Sequence, residues 1–361
     1  MTIGGLVENY FGCHSGTSKL SAKILWRWSN LFPGADGPFR LPLNLFMMKK
    51  LTLFLCAFCC IVSFAQSPID TTATFKIGGI KQFVVIRGND RQKPLLLYFT
   101  GGPGESSIGH SDVFTGELRQ HFVLVEWDQR NCGKTMELNP SPKPVTLALC
   151  KQDARDLADT LLRRFHRRKL FVLGWSWGTV LGFDLAKHMP EKIYAYFAVS
   201  PVVDQVKSED ISLREMKEKA KKDGNTTAIA ELSKVKIPFE NAEQLFLDRK
   251  WLFILITGTP RDEQQLRSFF FDPKNQWIIP LSKESSRQNL IKELPAVNCP
   301  VYFFIGKQDK QVNHLIGEAY FKVLKAPKKE IFLFERSGHL IPFSEPDLLQ
   351  QDMISAAAKS L

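Results

Sequence analysis

Cysteine is scarce in this chain after residue 65. Only Cys132, Cys150 and Cys299 occur in that part of the sequence. An odd number of cysteines without C-x-x-C spacing argues against a disulfide framework and against a zinc site. One pair could form a disulfide and leave a free thiol, but the sequence does not say which pair. The length of 361 residues is instead enough to bury one large α/β core with an insertion.

The chain also lacks an apolar run long enough for a comfortable membrane span, which needs ~20 residues. The apolar run at 51–64 is shorter, follows Met47-Met48-Lys49-Lys50 and ends at Ser63-Phe64-Ala65. This is the layout of a secretory signal with a small-x-small cleavage site before Gln66. A buried core helix or an uncleaved membrane anchor are the alternatives. We predict a signal peptide at 47–65, an upstream extension outside the fold at 1–46, and a secreted or periplasmic protein without a stable membrane span after cleavage.

A strong excess of one charge sign is absent from the predicted mature protein. Removing residues 1–65 takes away six Lys/Arg and two Asp/Glu, so the formal net charge falls from +11 to +7. The basic residues are scattered or sit in short helical runs such as 163–168 and 217–222, which is typical of solvated helix faces. This distribution argues against a nucleic-acid partner.

Short apolar runs alternate with helical patterns along most of the remaining chain. Residues 75–87 predict a hairpin with Gly78-Gly79 as its turn. Runs of the buried-strand type follow at 94–99, 122–127 and 169–173, and further strands are predicted at 193–199, 301–306 and 329–334. Strands that alternate with helices imply right-handed crossovers and a mostly parallel sheet. We therefore predict an α/β fold with an eight-stranded sheet and helices on both faces.

This alternation is interrupted between residues 204 and 292, where no run of the core-strand type appears. A charged helical pattern at 206–222 comes first. An aromatic-rich stretch follows, with Phe239, Phe246, Trp251, Phe253, Phe269, Phe270, Phe271 and Trp277. The pattern predicts a helical cap at 204–292, inserted between two parts of the core at 66–203 and 293–361. We expect most of the aromatic residues to form the cap's own core and some to face the cleft.

The stretch Gly174-Trp175-Ser176-Trp177-Gly178 fits the G-x-S-x-G nucleophile elbow and stands between the strand run 169–173 and a helical pattern at 179–188. In such a turn the glycines leave room for neighbouring backbone, while the strained serine projects its hydroxyl above the carboxyl end of the sheet. The following helix aims its N-terminal N–H groups at the place where an oxyanion would form. Ser176 is therefore the predicted nucleophile.

A serine hydroxyl needs a base to take its proton, and the base needs an acid to hold its tautomer. On this fold the three residues follow one another in the order Ser, Asp or Glu, His. Asp309 comes three residues after the run 301–306, and His339 lies just past the run 329–334. Both positions are at the carboxyl edge of the predicted sheet, so we predict Ser176, Asp309 and His339 as a catalytic triad.

Other residues could take the acid or base role. Asp204 follows the run 193–199 and is the alternative acid, although it lies away from the strand end and at the cap junction. The remaining histidines are weaker candidates because they precede the serine or fall in helical patterns: His110, His121, His166, His188 and His314.

The segment Thr100-Gly101-Gly102-Pro103-Gly104 directly follows a predicted buried strand. Three glycines in five residues let the backbone approach a tetrahedral intermediate closely, and Pro103 stiffens the turn. We predict that the backbone N–H of Trp177 and one N–H of this segment donate to the oxyanion. A flexible linker is the alternative, which the preceding strand disfavours.

Together these motifs resemble the proline iminopeptidase (prolyl aminopeptidase) branch of the α/β-hydrolase superfamily. The resemblance covers residues 70–361. It rests on Gly101-Gly102-Pro103-Gly104, Trp127-Asp128-Gln129-Arg130, the elbow, and Gly338-His339 with Pro342, Glu345 and Pro346 after it. It implies an α/β-hydrolase fold and a serine hydrolase that acts through an acyl-enzyme on peptide N-termini, with no metal or organic cofactor. A carboxylesterase or other acyl hydrolase with the same triad is the alternative, and a non-catalytic ligand-binding protein of this fold is the third hypothesis.

The resemblance also implies roles for single residues. Ser176, Asp309 and His339 would be nucleophile, acid and base, and Gly102 and Trp177 would supply the oxyanion N–H groups. The supporting residues would be Gly101, Pro103, Gly104, Asp128 and Arg130. Asp128-Gln129-Arg130 would form a structural turn beside the oxyanion segment, with Arg130 bracing that segment by hydrogen bonds.

Three features depart from the pattern of this branch. Thr100 stands where the branch has histidine, and Asn131 replaces a glycine and is expected at the rim of the pocket. Aminopeptidases of the branch also bind the substrate's ammonium group with carboxylates of the cap. The candidates for that role, chosen by location alone, are Glu215, Glu218, Glu240 and Glu243. The expected partner is a small peptide or acyl substrate.

Overall fold

The structure, a computed structural model, describes residues 67–258 and 260–361. The predicted extension at 1–46 and the predicted signal peptide at 47–65 lie outside the described residues. Eight strands are described: β1 (Ile69–Ile77), β2 (Ile80–Gly88), β3 (Leu95–Phe99), β4 (Val123–Asp128), β5 (Leu170–Trp175), β6 (Ile193–Val199), β7 (Val301–Gly306) and β8 (Lys329–Phe334).

The strands form one sheet in the order β1-β2-β4-β3-β5-β6-β7-β8. The pairs β1 with β2 and β2 with β4 are antiparallel, and all later pairs are parallel. The prediction of a mostly parallel eight-stranded sheet is confirmed. In such a sheet the carboxyl ends of β3, β5, β6, β7 and β8 meet at one edge, where binding sites of open α/β sheets lie.

The described ranges contain fourteen α-helices. In chain order they are α1 (Asp112–Thr115), α2 (Leu118–His121), α3 (Gly133–Leu138), α4 (Leu147–Arg164), α5 (Gly178–His188), α6 (Gln205–Lys222), α7 (Thr226–Leu232), α8 (Ala242–Trp251), α9 (Glu263–Phe271), α10 (Ile278–Ser286), α11 (Leu290–Glu293), α12 (His314–Val323), α13 (Ile341–Ser344) and α14 (Pro346–Ala358). A π-helical turn at Leu252–Ile256 continues α8. In these ranges no helix combines the length and the apolar character needed to cross a membrane.

Both faces of the sheet are buried, as the side chains of β3 show. Leu95, Leu97 and Phe99 belong to one hydrophobic cluster, while Leu96 and Tyr98 belong to a second one. Alternate residues of a strand point to opposite faces, so helices must cover the sheet on both sides. This double burial explains why the central strands appear in the sequence as continuous apolar runs.

Helices α6 to α11 follow β6 and precede β7. Part of this segment has a hydrophobic cluster of its own, which includes Met216, Leu232, Phe246 and Trp251. The charged pattern predicted at 206–222 corresponds to α6, whose apolar side packs into that cluster. We refer to α6 to α11 as the cap.

The three described cysteines are buried as free thiols. The sequence left open which pair could form a disulfide, and the structure shows no disulfide among Cys132, Cys150 and Cys299. Burial raises the pKa of the Cys150 and Cys299 thiols to about 12, which keeps them protonated and poorly reactive.

Candidate active site

Ser176 lies on a sharp turn between β5 and α5 and has a φ of 53°, in the left-handed region that a non-glycine residue seldom adopts. The turn is possible because glycine stands on both sides of it. A Cβ on Gly174 would lie 2.9 Å from the carbonyl oxygen of Gly178, and a Cβ on Gly178 would overlap the carbonyl oxygen of Phe99. The Ser176 N–H donates to the carbonyl of Val199 at 2.9 Å, which fixes the turn to β6.

The structure brings Ser176, His339 and Asp309 together at the carboxyl edge of the sheet. Nε2 of His339 lies 2.8 Å from Oγ of Ser176, and Nδ1 of His339 lies 2.9 Å from Oδ2 of Asp309. The other carboxylate oxygen of Asp309 accepts the N–H groups of Gln311 and Val312 at 2.9 and 3.1 Å. With Nδ1 protonated, the imidazole can accept the serine proton at Nε2. This is the arrangement that activates a serine for nucleophilic attack.

The glycine-rich segment after β3 packs directly against the serine. A Cβ on Gly101 would lie 3.4 Å from Cβ of Ser176. Gly102 and Gly104 have φ values of 121° and 96°, and the peptide bond before Pro103 is cis. Backbone conformations with such φ values are open to glycine and are rare for other residues. The segment therefore brings its backbone beside the serine without intervening side chains.

Residues 99–350 match the alpha/beta hydrolase family. The chain belongs to this family. It is 29% identical over 310 residues to a probable aminopeptidase of Bacillus subtilis (strain 168), YbaC, with 78% of this chain and 95% of the relative covered. It is 22% identical over 297 residues to a proline iminopeptidase of Heyndrickxia coagulans, with 79% and 95% covered. The fold is similar to that of a proline iminopeptidase-related protein of Thermus thermophilus, with a TM-score of 0.55 at 18% identity over 81% of this chain and 98% of that one.

In this α/β hydrolase, the two tryptophans of the elbow make different long-range contacts. The indole Nε1 of Trp175 donates to the carbonyl oxygen of His339 at 3.3 Å, and the hydroxyl of Ser200 donates to the same oxygen at 3.1 Å. Nε1 of Trp177 donates to the hydroxyl of Ser285 in the cap at 3.2 Å. These contacts could not be predicted from the sequence because the residues in each pair are more than 100 positions apart.

The loop that carries Asp309 is attached to the first cap helix. Nε2 of Gln205 donates to the carbonyl of Gln311 at 3.3 Å, and the hydroxyl of Ser212 donates to the carbonyl of Lys310. The ammonium of Lys310 pairs with Glu215 at 3.1 Å. Helix α6 thus holds the backbone on one side of the acid.

Asp204, the alternative acid, serves as the N-cap of α6. Its carboxylate accepts the N–H of Lys207 at 3.1 Å and the amide of Asn289 at 2.6 Å. N-cap carboxylates satisfy N–H groups that lack a partner in the first turn of a helix. Both oxygens are therefore occupied in joining α6 to the start of α11, and the contact to His339 is made by Asp309.

The prediction that Arg130 braces the oxyanion segment is wrong. Its guanidinium donates to both carboxylate oxygens of Asp153 at 2.9 and 3.0 Å, to the carbonyl of Gly78 at 3.1 Å and to Ser141 at 3.2 Å. Asp153 on α4 is buried, and a buried carboxylate needs a charged, hydrogen-bonded partner. Arg130 therefore joins α4 to the β1–β2 turn.

Asp128 and Asn131 shape the chain between β4 and α3. A carboxylate oxygen of Asp128 accepts the N–H of Lys134 at 2.7 Å, in the first turn of α3. Asn131 has a φ of 58°, which asparagine tolerates better than most residues, and its side chain accepts the N–H of Ser141 at 2.8 Å. The expectation that Asn131 lies at the pocket rim is wrong, because it turns away to the loop before α4.

A cavity of about 630 Å³ lies between the serine and the cap. This size is within the range of sites that enclose a small molecule. Its aromatic lining includes Phe114, Trp175, Phe239, Phe253, Phe269 and Phe270. Four of these side chains belong to the cap stretch that the sequence marked as aromatic, so the cap supplies much of the apolar surface that a substrate would contact.

None of the four cap carboxylates chosen from the sequence lines this cavity. Glu215 pairs with Lys310, Glu218 is exposed, Glu240 lies 3.6 Å from Lys236, and Glu243 lies 3.8 Å from Arg267. Their interpretation as cavity residues is therefore wrong, because their side chains lie outside the cavity lining. The carboxylates that do line the cavity are Glu105, Glu209 and Asp262.

Glu209 is part of a buried charged cluster in the cap. Its carboxylate accepts two hydrogen bonds from Arg249, at 2.9 and 2.5 Å, and Arg249 also contacts Asp248 at 2.5 Å. Burial, together with the charge of Glu209, raises the pKa of Asp248 to about 7, against the opposing effect of Arg249. The carboxyl groups of Glu209 and Asp248 therefore share the guanidinium of Arg249. Repulsion between two negative charges at this short distance favours protonation of one carboxyl group.

Proposed function

We propose that this α/β hydrolase is a serine aminopeptidase that releases the N-terminal residue of small peptides through an acyl-enzyme. The observation that carries the proposal is the unbroken chain of hydrogen bonds from Asp309 through His339 to Ser176, at the floor of an apolar cavity. The names of the relatives, a probable aminopeptidase and a proline iminopeptidase, support the class of substrate.

In the proposed reaction, Oγ of Ser176 attacks the carbonyl carbon of the first peptide bond while Nε2 of His339 takes its proton. Asp309 stabilises the imidazolium and keeps its Nδ1 proton in place. The N–H groups of Trp177 and Gly102 donate to the oxyanion. The imidazolium then protonates the leaving amine, and a water molecule that loses its proton to His339 hydrolyses the acyl-enzyme.

An esterase or other acyl hydrolase is the second candidate, and one observation favours it. The cavity is largely apolar, and the four cap carboxylates expected to bind an ammonium group lie outside it. An uncharged acyl ester would suit such a lining. The triad and the acyl-enzyme are common to both candidates, so the cavity decides between them.

The test begins with a fluorophosphonate probe on the full chain, which should label the wild type and leave the Ser176→Ala variant unlabelled. The second step compares kcat/KM for a prolyl arylamide, its N-acetyl derivative and a simple acyl ester. A strong preference for the free amine supports an aminopeptidase. Cleavage of the ester alone establishes the esterase, and equal labelling of both proteins refutes Ser176 as the nucleophile.

We also propose that the protein is secreted or periplasmic. The proposal is supported by the basic residues before the apolar run at 51–64 and by the small-x-small sequence ending at Ala65. Mass spectrometry of the protein from the cells that produce it should find Gln66 at the N-terminus. Retention of Met1 or Met47 in the folded protein would contradict secretion by cleavage.

A further inference from the structure

Glu105 is the carboxylate that immediately follows the glycine-rich segment, and it lines the cavity above the serine. Its backbone nitrogen lies 3.2 Å from the point that a Cβ on Gly102 would occupy. Gly101, in the same segment, packs against Ser176. The segment that lies beside the serine therefore carries a negative charge on its next side chain.

This carboxylate has no hydrogen bond or ion pair with any residue in the described part of the chain. Its side chain is exposed to the cavity, and the protein atoms around it partly desolvate the carboxyl group and raise its pKa. The charges of Arg261, His339 and His110 oppose the shift from a distance, without contact. An unpaired carboxylate that lines a cavity can accept charged hydrogen bonds from a cationic ligand, which would supply the partner that the described residues do not.

The other acidic residues of the cavity are already engaged. Glu209 accepts two hydrogen bonds from Arg249. Asp262 caps α9 by accepting the N–H of Gln265 at 2.7 Å. Arg261, the cation with the largest effect on Glu105, stacks over the ring of Phe253 at 4.9 Å. Of the cavity carboxylates in the described part of the chain, Glu105 is thus the one with neither oxygen engaged by another residue, and it can bind a charge brought by the substrate.

Covalent structure sets where such a charge must lie. The α-ammonium of an N-terminal residue is separated by one carbon from the carbonyl that the serine attacks. Its binding group must therefore stand beside the serine and the oxyanion site. Glu105 meets this requirement, because it follows the segment that packs against Ser176 and it lines the same cavity as the serine.

We infer that Glu105 is the residue that binds the α-ammonium group of the substrate, and that specificity for a free N-terminus resides in the core of the molecule. This inference rests on the proposed aminopeptidase function. It places a carboxylate and the aromatic side chains of the cap in one cavity, which together fit an N-terminal residue with a bulky apolar side chain.

The test compares two substrates of the same shape in wild type and Glu105→Gln: phenylalanine 4-nitroanilide, and 3-phenylpropanoic acid 4-nitroanilide, which lacks the amine. Loss of a charged hydrogen bond should lower kcat/KM for the amine by about 10- to 100-fold and leave the second substrate unchanged. Glu137→Gln is the matched control, because Glu137 pairs with Lys134 on the surface. Equal loss on both substrates, or no loss on either, overturns the inference.

A binding measurement separates this inference from the proposed function. Calorimetric titration with phenethylammonium and with phenylethanol needs no turnover. Weaker binding of the amine alone in Glu105→Gln supports the ammonium site, even if the arylamides are not cleaved and the aminopeptidase proposal fails. Identical amine binding by wild type and Glu105→Gln refutes the site, even if the enzyme cleaves peptides.

Discussion

The indole N–H of Trp175 donates to the backbone carbonyl of His339 at 3.3 Å, so the residue before the proposed nucleophile helps to hold the proposed base. Ser200 donates to the same oxygen at 3.1 Å. These two hydrogen bonds to the backbone of His339 fix the position of its ring and leave the ring nitrogens free to contact Asp309 and Ser176.

Replacing Trp175 by phenylalanine removes this donor and keeps an aromatic ring in the cavity wall. We expect kcat to fall about 3- to 10-fold, the value of one hydrogen bond, with little change in the melting temperature. Trp277→Phe is the control, because the indole nitrogen of Trp277 has no partner among the described residues. A rise in KM or a fall in Tm without a fall in kcat would show that Trp175 acts only in packing.

The two aspartates that sequence analysis proposed as acids can be separated by isosteric variants. Asp309→Asn should lower kcat by about 10⁴, because the imidazole would be held in the wrong tautomer. Asp204→Asn should keep kcat and at most lower the free energy of unfolding by about 1 kcal/mol, since asparagine also caps helices. Steady-state kinetics and urea unfolding measure both quantities. The reverse order of effects would move the acid assignment to Asp204.

Arg130 is expected to matter for stability and not for chemistry. Arg130→Met leaves the buried carboxylate of Asp153 without its partner, and we expect the free energy of unfolding to fall by about 3 to 5 kcal/mol. The double variant with Asp153→Asn should recover part of this loss. Activity per folded molecule should not change, because Arg130 does not contact the oxyanion segment. A large loss of kcat at normal stability would contradict this.

Gly178 should tolerate no side chain. A Cβ there would overlap the carbonyl oxygen of Phe99 and push the elbow away from β3, so Gly178→Ala should cost about 3 kcal/mol or more of stability. Gly116→Ala is the control, since Gly116 has a φ of −57° and nothing lies near the position of its Cβ. Thermal denaturation compares the two variants. Equal melting temperatures would show that the elbow can shift to make room.

The pKa of Asp248 predicts how stability depends on pH. Burial raises that pKa from 3.8 to about 7, so between these values the folded protein holds a proton that the unfolded chain has released. The contribution of this proton to the free energy of unfolding is fully present below pH 3.8, decreases as the pH rises towards 7, and is absent above that pH. The difference in unfolding free energy between wild type and Asp248→Asn should show this slope from about pH 4 to 7. Parallel curves would mean that Asp248 does not titrate there.

The fold and the three central residues could be predicted because each depends on local sequence. Ser176, Asp309 and His339 each follow a run that predicts a strand, and parallel strands bring their carboxyl ends together at one edge of the sheet. The hairpin at Gly78-Gly79 follows the same logic, because two adjacent glycines permit the tight turn between β1 and β2.

The parts that could not be predicted depend on which way a side chain reaches in the folded molecule. Arg130 is close in sequence to the segment that it was expected to brace, but its long side chain extends the other way to Asp153. The acidic residues of the cap do not differ in a way that the sequence reveals, and the packing of the folded chain decides which of them faces the cavity. Glu105 was overlooked because one glutamate after a glycine-rich segment carries no signal in a single sequence.

The attachment of the Asp309 loop to α6 through Gln205 and Ser212 makes the cap an integral part of the catalytic scaffold. The whole cap therefore cannot be replaced as an independent unit at the boundary between core and cap. A chimaera that took its cap from a relative would have to keep this protein's α6, or the acid would lose its backbone supports. Insertion and divergence are less constrained in α7 to α9, which leaves that portion of the cap as the place where related proteins can change their substrate preferences.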